Sequence, residues 1–205
     1  MSAYLLIWSP KKWPWPELPD FARRVQAGVA VADTWGCGFA RGILPGDRVF
    51  VHRVAAEPRG LFGSGYVTRA PYEVPDPAYK RGYRLCIDFV YDWLVDANEN
   101  VVIARDALRI HPFSVQTWDA QSSGTVIKPI AQGALEKRWA ELTGKRPMPA
   151  AAVAAMHAAE AARSASTHDG DAASPTTASG TKAKARNAAS GARKRASTRS
   201  PTRDT

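Results

Sequence analysis

Every aromatic residue of the chain lies in its first two thirds, and this limits where a hydrophobic core can form. The 19 Trp, Tyr and Phe residues fall between Tyr4 and Trp139, and residues 140–205 contain none. Aromatic side chains supply much of the apolar area that a domain buries. A segment of about 140 residues is long enough to bury a core of its own. We therefore predict one folded domain over residues 1–146.

The end of the chain has the composition of a disordered segment. Residues 165–205 consist mainly of Ala, Ser, Thr, Gly, Lys and Arg, and they carry 8 basic and 3 acidic residues, so +5 of the net charge of +9. Such a segment buries too little apolar surface to offset its ordering entropy. We predict a disordered tail over 165–205, joined to the domain by an alanine-rich linker with helical propensity over 147–164.

The basic residues of this tail are candidates for contacts with phosphate groups. They are Lys182, Lys184, Arg186, Arg193, Lys194, Arg195, Arg199 and Arg203. Spaced by small residues, they would attract a nucleic-acid backbone without reading its sequence. The alternative is a tail that only keeps the protein soluble.

The sequence argues against a secreted protein, a membrane-spanning protein and a cysteine-based metal or redox protein. The apolar run 4–8 is too short for a secretory signal, and no window approaches the roughly 18 apolar residues of a membrane span. Cys37 and Cys86 are too far apart in sequence for a metal or redox motif. We therefore expect two reduced, buried thiols, no metal, no cofactor and no membrane partner. A cytoplasmic, bacterial protein fits this composition, and association with the nucleoid is possible.

Alternating apolar residues predict most of the β-structure, and helical spacing predicts two helices. The predicted strands include residues 3–8, 48–54, 61–68 and 85–91, and the predicted helices cover 18–25 and 135–142. Strands do not alternate regularly with helices, which disfavours a doubly wound parallel sheet. We predict an α+β fold of about five strands, arranged as a curved, mainly antiparallel β-barrel with flanking short helices.

Five segments, in order along the chain, resemble one family. They are Leu6-Ile7-Trp8-Ser9-Pro10-Lys11-Lys12-Trp13, Trp35-Gly36-Cys37-Gly38, Pro45-Gly46-Asp47-Arg48-Val49-Phe50, Pro58-Arg59-Gly60-Leu61-Phe62-Gly63-Ser64-Gly65 and Gln121-Ser122-Ser123-Gly124. Together they resemble EVE domains, which belong to the PUA-like superfamily and are related to YTH and ASCH domains. The resemblance covers about residues 3–142 and is closest to the EVE modules of HNH endonucleases that recognise modified cytosine.

The resemblance implies a non-catalytic reader of a modified base, most readily a modified cytosine. A base inside a duplex exposes little of its ring, so a reader flips it out or binds a single strand. The implied partner is nucleic acid, with DNA favoured over RNA, and a separate nuclease is a possible second partner. The HNH motif itself is missing from this chain.

The resemblance also implies a pocket for the modified base. Its predicted residues are Trp35, Cys37, Gly38, Phe62, Gly63, Ser64, Gly65, Tyr79, Trp118, Gln121, Ser122 and Ser123. In this hypothesis Trp35 and Tyr79 are aromatic walls, residues 62–65 form the floor, and the loop 118–123 closes the pocket. The alternatives are a core tryptophan at 35, an exposed loop tyrosine at 79, and serines that only cap a turn.

No catalytic motif is visible, so we predict no catalytic residue. The four histidines, His52, His111, His157 and His168, form no metal or nuclease pattern. Two alternatives remain open. An ASCH-like enzyme acting on modified nucleosides would need a lysine and a glutamate at the pocket, and only Lys12 and Lys128 lie near the pocket loops. A protein-interaction module would use Trp13 and Trp15.

Overall fold

A computed structural model describes residues 1–166 of the chain. These residues comprise the aromatic-rich part of the chain and the alanine-rich segment after it. All eight predicted phosphate-contacting residues of the tail, from Lys182 to Arg203, lie outside the described residues.

The described part contains seven strands and three α-helices. The strands are β1 (Ala3–Trp8), β2 (Ala32–Gly36), β3 (Arg48–Arg53), β4 (Gly60–Pro75), β5 (Tyr83–Leu94), β6 (Ile103–Ala104) and β7 (Thr125–Val126). The helices are α1 (Leu18–Gln26), α2 (Pro129–Thr143) and α3 (Ala150–Ser166), with short 3-10 helices at Ala107–Arg109 and Phe113–Val115.

All seven strands belong to one mixed sheet. Its order is β2-β5-β4-β3-β1-β7, and β6 pairs with the start of β4. β1 and β3 run parallel, whereas the other pairs are antiparallel. Every residue of β1 and β3 is buried. This burial on both faces is typical of parallel pairs, which are covered on each side.

The two faces of the sheet carry two separate hydrophobic cores. On β1, Leu6 and Trp8 point into a core with α1, while Leu5 and Ile7 point into a core with α2. The same period of two puts Val51 in the first core and Phe50 in the second. These two neighbouring residues of β3 therefore face opposite sides of the sheet.

The α+β class is confirmed, but the sheet is not a closed barrel. Within residues 1–166, the edge strands β2 and β7 do not pair with each other. Instead the Ser123 side chain joins β2 to β1: its Oγ accepts hydrogen bonds from the Ile7 amide of β1 at 2.9 Å and from the Trp35 indole of β2 at 3.2 Å. The sheet therefore curls until its two ends meet through side chains rather than through a β-ladder.

The segment before α3 packs on the sheet. The Tyr66 hydroxyl of β4 accepts a hydrogen bond from the Met148 amide at 2.7 Å, and Val153 of α3 lies against Gly46. The alanine-rich segment thus forms a helix that is attached to the domain at its start. In the described part of the chain, none of the helices combines the length and the apolar character that crossing a bilayer requires.

Candidate nucleic-acid interface

Three loops meet at the end of β2. The loop 37–42 follows β2, the loop 76–82 joins β4 to β5, and the residues 122–124 precede β7. Arg81 of the second loop donates a hydrogen bond from Nη2 to the Gly38 carbonyl oxygen of the first, at 3.1 Å. The third loop reaches the same place, because a Cβ added at Gly38 would stand 2.7 Å from the Ser123 carbonyl oxygen.

The close packing of these loops depends on glycine at position 124. Gly124 has a φ of +84°, a conformation that side chains disfavour. A Cβ there would also overlap the Cys37 carbonyl oxygen. The Gly124 amide donates to the Leu5 carbonyl oxygen at 2.9 Å, which fixes the loop against β1.

We expect Gly124→Ala to lower the free energy of unfolding by about 2 kcal/mol, because it combines a strained backbone with a steric overlap. The matched control is Gly133→Ala in α2, where a Cβ meets no atom within 4 Å. That change should raise stability by about 0.5–1 kcal/mol, as alanine is the better helix former. Urea unfolding of both variants checks the pair, and equal effects at the two glycines would contradict the assignment.

The first two loops and the start of β5 form a partly exposed group of rings around one guanidinium, which we call the Arg81 cluster: Phe39, Tyr79, Arg81 and Tyr83. The Arg81 guanidinium carbon lies 4.7 Å from the Phe39 ring centre, 4.8 Å from Tyr83 and 5.6 Å from Tyr79. Phe39 is 82% exposed. Cation–π contacts at these distances hold the two loops together while leaving ring surface open to solvent.

The surroundings of the Arg81 cluster are more basic than acidic. Arg41 donates to the Tyr83 hydroxyl at 3.1 Å and pairs with Glu73 at 3.2 Å. The segments 37–43 and 73–84 carry four basic residues, Arg41, Lys80, Arg81 and Arg84, and two acidic residues, Glu73 and Asp76. The surface therefore favours an anionic partner.

The structure brings about half of the predicted pocket residues together. Trp35, Cys37, Gly38, Ser122 and Ser123 meet where the three loops converge. Tyr79 lies beside them through Arg81. Gln121 is exposed in the third loop.

The prediction that Trp35 is a wall of an open pocket needs correction. Its side chain is 1% exposed and packs in the first core, with the Trp15 ring centre 5.8 Å away. Its indole N–H is already donated to Ser123. The core alternative describes Trp35, because almost none of its ring surface is left for a stacking base.

The prediction of a pocket floor at Phe62, Gly63, Ser64 and Gly65 is also wrong. All four residues are buried within β4. A Cβ at Gly63 would stand 2.8 Å from Leu94, and a Cβ at Gly65 would overlap the Val90 carbonyl oxygen. The two glycines therefore admit the neighbouring strand β5 rather than a ligand.

Trp118 lies away from the three loops. It is buried in the second core and donates its indole N–H to the Phe113 carbonyl oxygen at 2.9 Å. Its edge lines a separate depression of about 310 Å³, together with Arg105, Leu108, Arg109, Ser114, Gln116, Thr117 and Asp119. Arg105 and Asp119 are bound to each other in a forked ion pair.

Cys37 has the chemistry of a structural thiol. It is fully buried, and burial raises its pKa to about 12, with a further increase from the neighbouring Cys86. A thiol with this pKa stays protonated near neutral pH and is a poor nucleophile. Both cysteines are free and buried, as the sequence predicts.

The functional candidates that the sequence analysis missed are Phe39, Arg41, Arg81 and Tyr83. A signal was present for the first of them, because Gly38 and Gly42 bracket Phe39 and Arg41 in one short loop. Glycines at both ends of a loop with one aromatic residue indicate a turn that presents a ring. Arg81 and Tyr83 carry no comparable signal, because their partners come from another loop.

Two of the groups named for the alternative functions, Lys128 and Trp15, are already engaged by other parts of the domain. Lys128 donates to the Val115 carbonyl oxygen at 2.7 Å, and the buried Glu136 pairs with Arg48. Trp15 is buried in the first core. Over residues 1–166, no group of three or more His, Cys, Asp or Glu side chains is arranged to hold a metal ion.

A buried charge network lies at the start of β3. Arg48 is fully buried; its Nη1 is 2.7 Å from the Asp92 carboxylate and its Nε is 3.2 Å from Glu136 on α2. The Tyr66 ring centre is 4.4 Å from the guanidinium carbon. Burial raises the pKa of Glu136, while Arg48 acts in the opposite direction. The network joins β3, β5 and α2 and is structural in character.

Comparison with known proteins assigns the chain no family and no activity. No family model and no curated protein matches the chain. Solved structures that resemble it include a protein from Pseudomonas putida, with 16% identity, a TM-score of 0.45 and coverage of 67% of this chain and 99% of the other. A hypothetical protein from Leishmania major has 16% identity, a TM-score of 0.49 and coverage of 71% and 98%. Similarity at this level establishes neither a shared family nor a shared activity.

Proposed function

We propose that the chain is a non-catalytic reader of a modified base in nucleic acid, most readily a modified cytosine, with DNA favoured over RNA. In this proposal the domain is a PUA-like domain of the EVE type whose curled sheet is pinned by Ser123. The basic tail adds affinity for phosphates. A separate nuclease is a possible partner, since the chain carries no nuclease motif.

One observation carries the proposal: three loops meet at one end of the sheet and present an exposed aromatic group next to small polar residues. Phe39 and Arg81 offer stacking surface and positive charge. Ser122 lies beside Gly38, where its hydroxyl is within reach of a base placed over the loop. Aromatic rings, a guanidinium and hydroxyl groups are the chemistry that holds an unstacked base.

The expected difference in affinity between a methylated and an unmethylated base follows from the apolar area of the methyl group. Burying one extra methyl group is worth about 0.8 kcal/mol, which is roughly fourfold in affinity. Stacking on an aromatic ring adds about 1–3 kcal/mol whether or not the base is modified. A preference above tenfold therefore requires a contact that penalises the unmodified base.

We expect the full chain to bind an oligonucleotide carrying 5-methylcytosine at least fourfold more tightly than the same oligonucleotide with cytosine. Fluorescence anisotropy at fixed salt measures this ratio, with 5-hydroxymethylcytosine and N6-methyladenine as further probes, in DNA and in RNA. Tail contacts made in the same complex as the domain's contacts contribute equally for every probe, so they cancel in the ratio.

Substitutions then test whether the preference for 5-methylcytosine over cytosine comes from the three loops. Arg81→Ala should reduce the preference to near one, because the two aromatic loops lose their common contact. Arg138→Ala is the matched control: it removes an exposed arginine that pairs with Glu141 on α2. Identical affinities of the wild-type protein for every probe would refute the reader proposal.

A further inference from the structure

The ring of Phe39 is exposed, and the residues beside it are anchored by hydrogen bonds. The Ala40 amide donates to the Cys37 carbonyl oxygen at 3.1 Å, which closes a tight turn around Phe39. Arg81, which contacts the ring, is itself anchored: its Nε donates to the Tyr83 carbonyl oxygen at 2.7 Å and its Nη2 to Gly38 at 3.1 Å. An exposed ring with fixed neighbours loses little conformational entropy when a planar partner stacks on it.

Only part of the Phe39 surface is covered. The Arg81 guanidinium packs against the ring, and the side chain still stays 82% exposed. The ring surface that Arg81 leaves uncovered is therefore accessible from solvent. A single exposed apolar side chain is ordinary. Here, however, the ring belongs to a set of three aromatic residues around one guanidinium.

An accessible ring surface selects for unpaired bases. In a duplex both faces of each base are stacked on neighbours, and only the edges are exposed in the grooves. In a single strand the base faces are available, and stacking on aromatic side chains is the usual way to hold them. A base flipped from a duplex is normally received in an enclosing pocket, and Phe39 stands out in solvent instead.

We propose that the Arg81 cluster binds unpaired bases of single-stranded nucleic acid, with Phe39 as the stacking surface. This inference rests on the proposed function and names its substrate class. The basic excess around the cluster favours a phosphate-bearing strand over a protein partner. Arg41, exposed over most of its side chain, is placed to meet a phosphate next to the stacked base.

The test compares strandedness and modification in one experiment. The probes are a 15-nucleotide DNA strand with cytosine or 5-methylcytosine, each used alone and annealed to its complement. The proteins are the full-length wild type, Phe39→Ala, Phe39→Trp and the control Ile130→Ala, which removes an exposed apolar side chain from α2. Anisotropy at about 0.15 M salt gives four dissociation constants for each protein, and circular dichroism checks folding.

We expect Phe39→Ala to weaken single-strand binding about tenfold and duplex binding by less than twofold. Phe39→Trp should retain or strengthen single-strand binding, because it keeps a stacking ring, and Ile130→Ala should match the wild type. Unchanged single-strand affinity in Phe39→Ala would overturn the inference and leave a protein as the partner of this surface.

The two proposals fail in different ways. A loss confined to the single strand in Phe39→Ala, without any preference for 5-methylcytosine, supports the single-strand inference and refutes the reader. A preference for 5-methylcytosine, together with a single-strand affinity that Phe39→Ala leaves unchanged, supports the reader and overturns the inference.

Discussion

Arg48→Ala is expected to lower the free energy of unfolding by about 3 kcal/mol, because it leaves the buried Glu136 carboxylate and the partly exposed Asp92 carboxylate without their counter-charge. Arg48 is fully buried and pairs with both Asp92 and Glu136. Without Arg48, the Asp92 and Glu136 carboxylates repel each other in a region of low dielectric constant. The substitution also removes the guanidinium that packs on the rings of Phe50 and Tyr66.

The loss should depend on pH in a direction that can be worked out. Burial already raises the pKa of Glu136, and without Arg48 that pKa rises further. A carboxyl group whose pKa is raised by folding destabilises the native state as pH increases above the unfolded value. The defect of Arg48→Ala should therefore be largest at pH 7 and above, and smaller near pH 5.

Urea unfolding at several pH values measures the defect. Arg138→Ala, which breaks an exposed pair with Glu141, is the control and should change stability by less than about 0.5 kcal/mol. The double variant Arg48→Met with Glu136→Gln should recover part of the loss, since the buried charge imbalance is reduced. A loss below about 1 kcal/mol in Arg48→Ala would contradict the assignment of a structural network.

Local pattern explains why much of the fold can be predicted from the sequence. β1 and β3 are recognisable because each contains a short continuous run of apolar residues, and α2 because its apolar spacing ends at Gly144, which has a left-handed φ of +74°. β2 is not, because its five residues include Asp33, Thr34 and Gly36, which carry no strand pattern. Its strand structure comes from pairing with β5, which is a tertiary effect.

The site is harder to predict because its contacts join distant parts of the chain. Ser123 reaches Trp35 across 88 residues, and Arg81 reaches Gly38 across 43. The flanking glycine of Trp35 suits either a core or a surface tryptophan, so that motif does not decide which way the indole faces. The same holds for Arg48, whose carboxylate partners lie 44 and 88 residues away.

Burial of His52 has a measurable consequence, which is a lowered pKa. The residue lies in β3 and is fully buried, and neither ring nitrogen has a hydrogen-bond partner within residues 1–166. Burial lowers its pKa from 6.5 to about 4; Asp119 acts in the opposite direction and Arg105 in the same direction. The native imidazole is therefore neutral at pH values where the unfolded chain already binds a proton.

The sign of the resulting pH dependence follows from this difference. The stability associated with neutral His52 is fully present above pH 6.5, decreases as pH falls below 6.5, and levels off below about pH 4. A separation of this size corresponds to about 3 kcal/mol. Between pH 7.5 and pH 4, the free energy of unfolding of the wild type should thus decrease by about that amount through His52 alone.

The variants His52→Leu and His52→Gln isolate this contribution from the carboxyl groups that titrate in the same range. Both remove the titrating ring, and the leucine variant should be close to the wild type at pH 7.5, because an unpartnered polar group is replaced by an apolar one. In urea titrations at pH 7.5, 6.5, 5.5 and 4.5, the wild type should lose stability more steeply than either variant. Parallel curves for all three proteins would contradict the lowered pKa of His52, because a ring with an ordinary pKa in the native state adds no pH dependence to the free energy of unfolding.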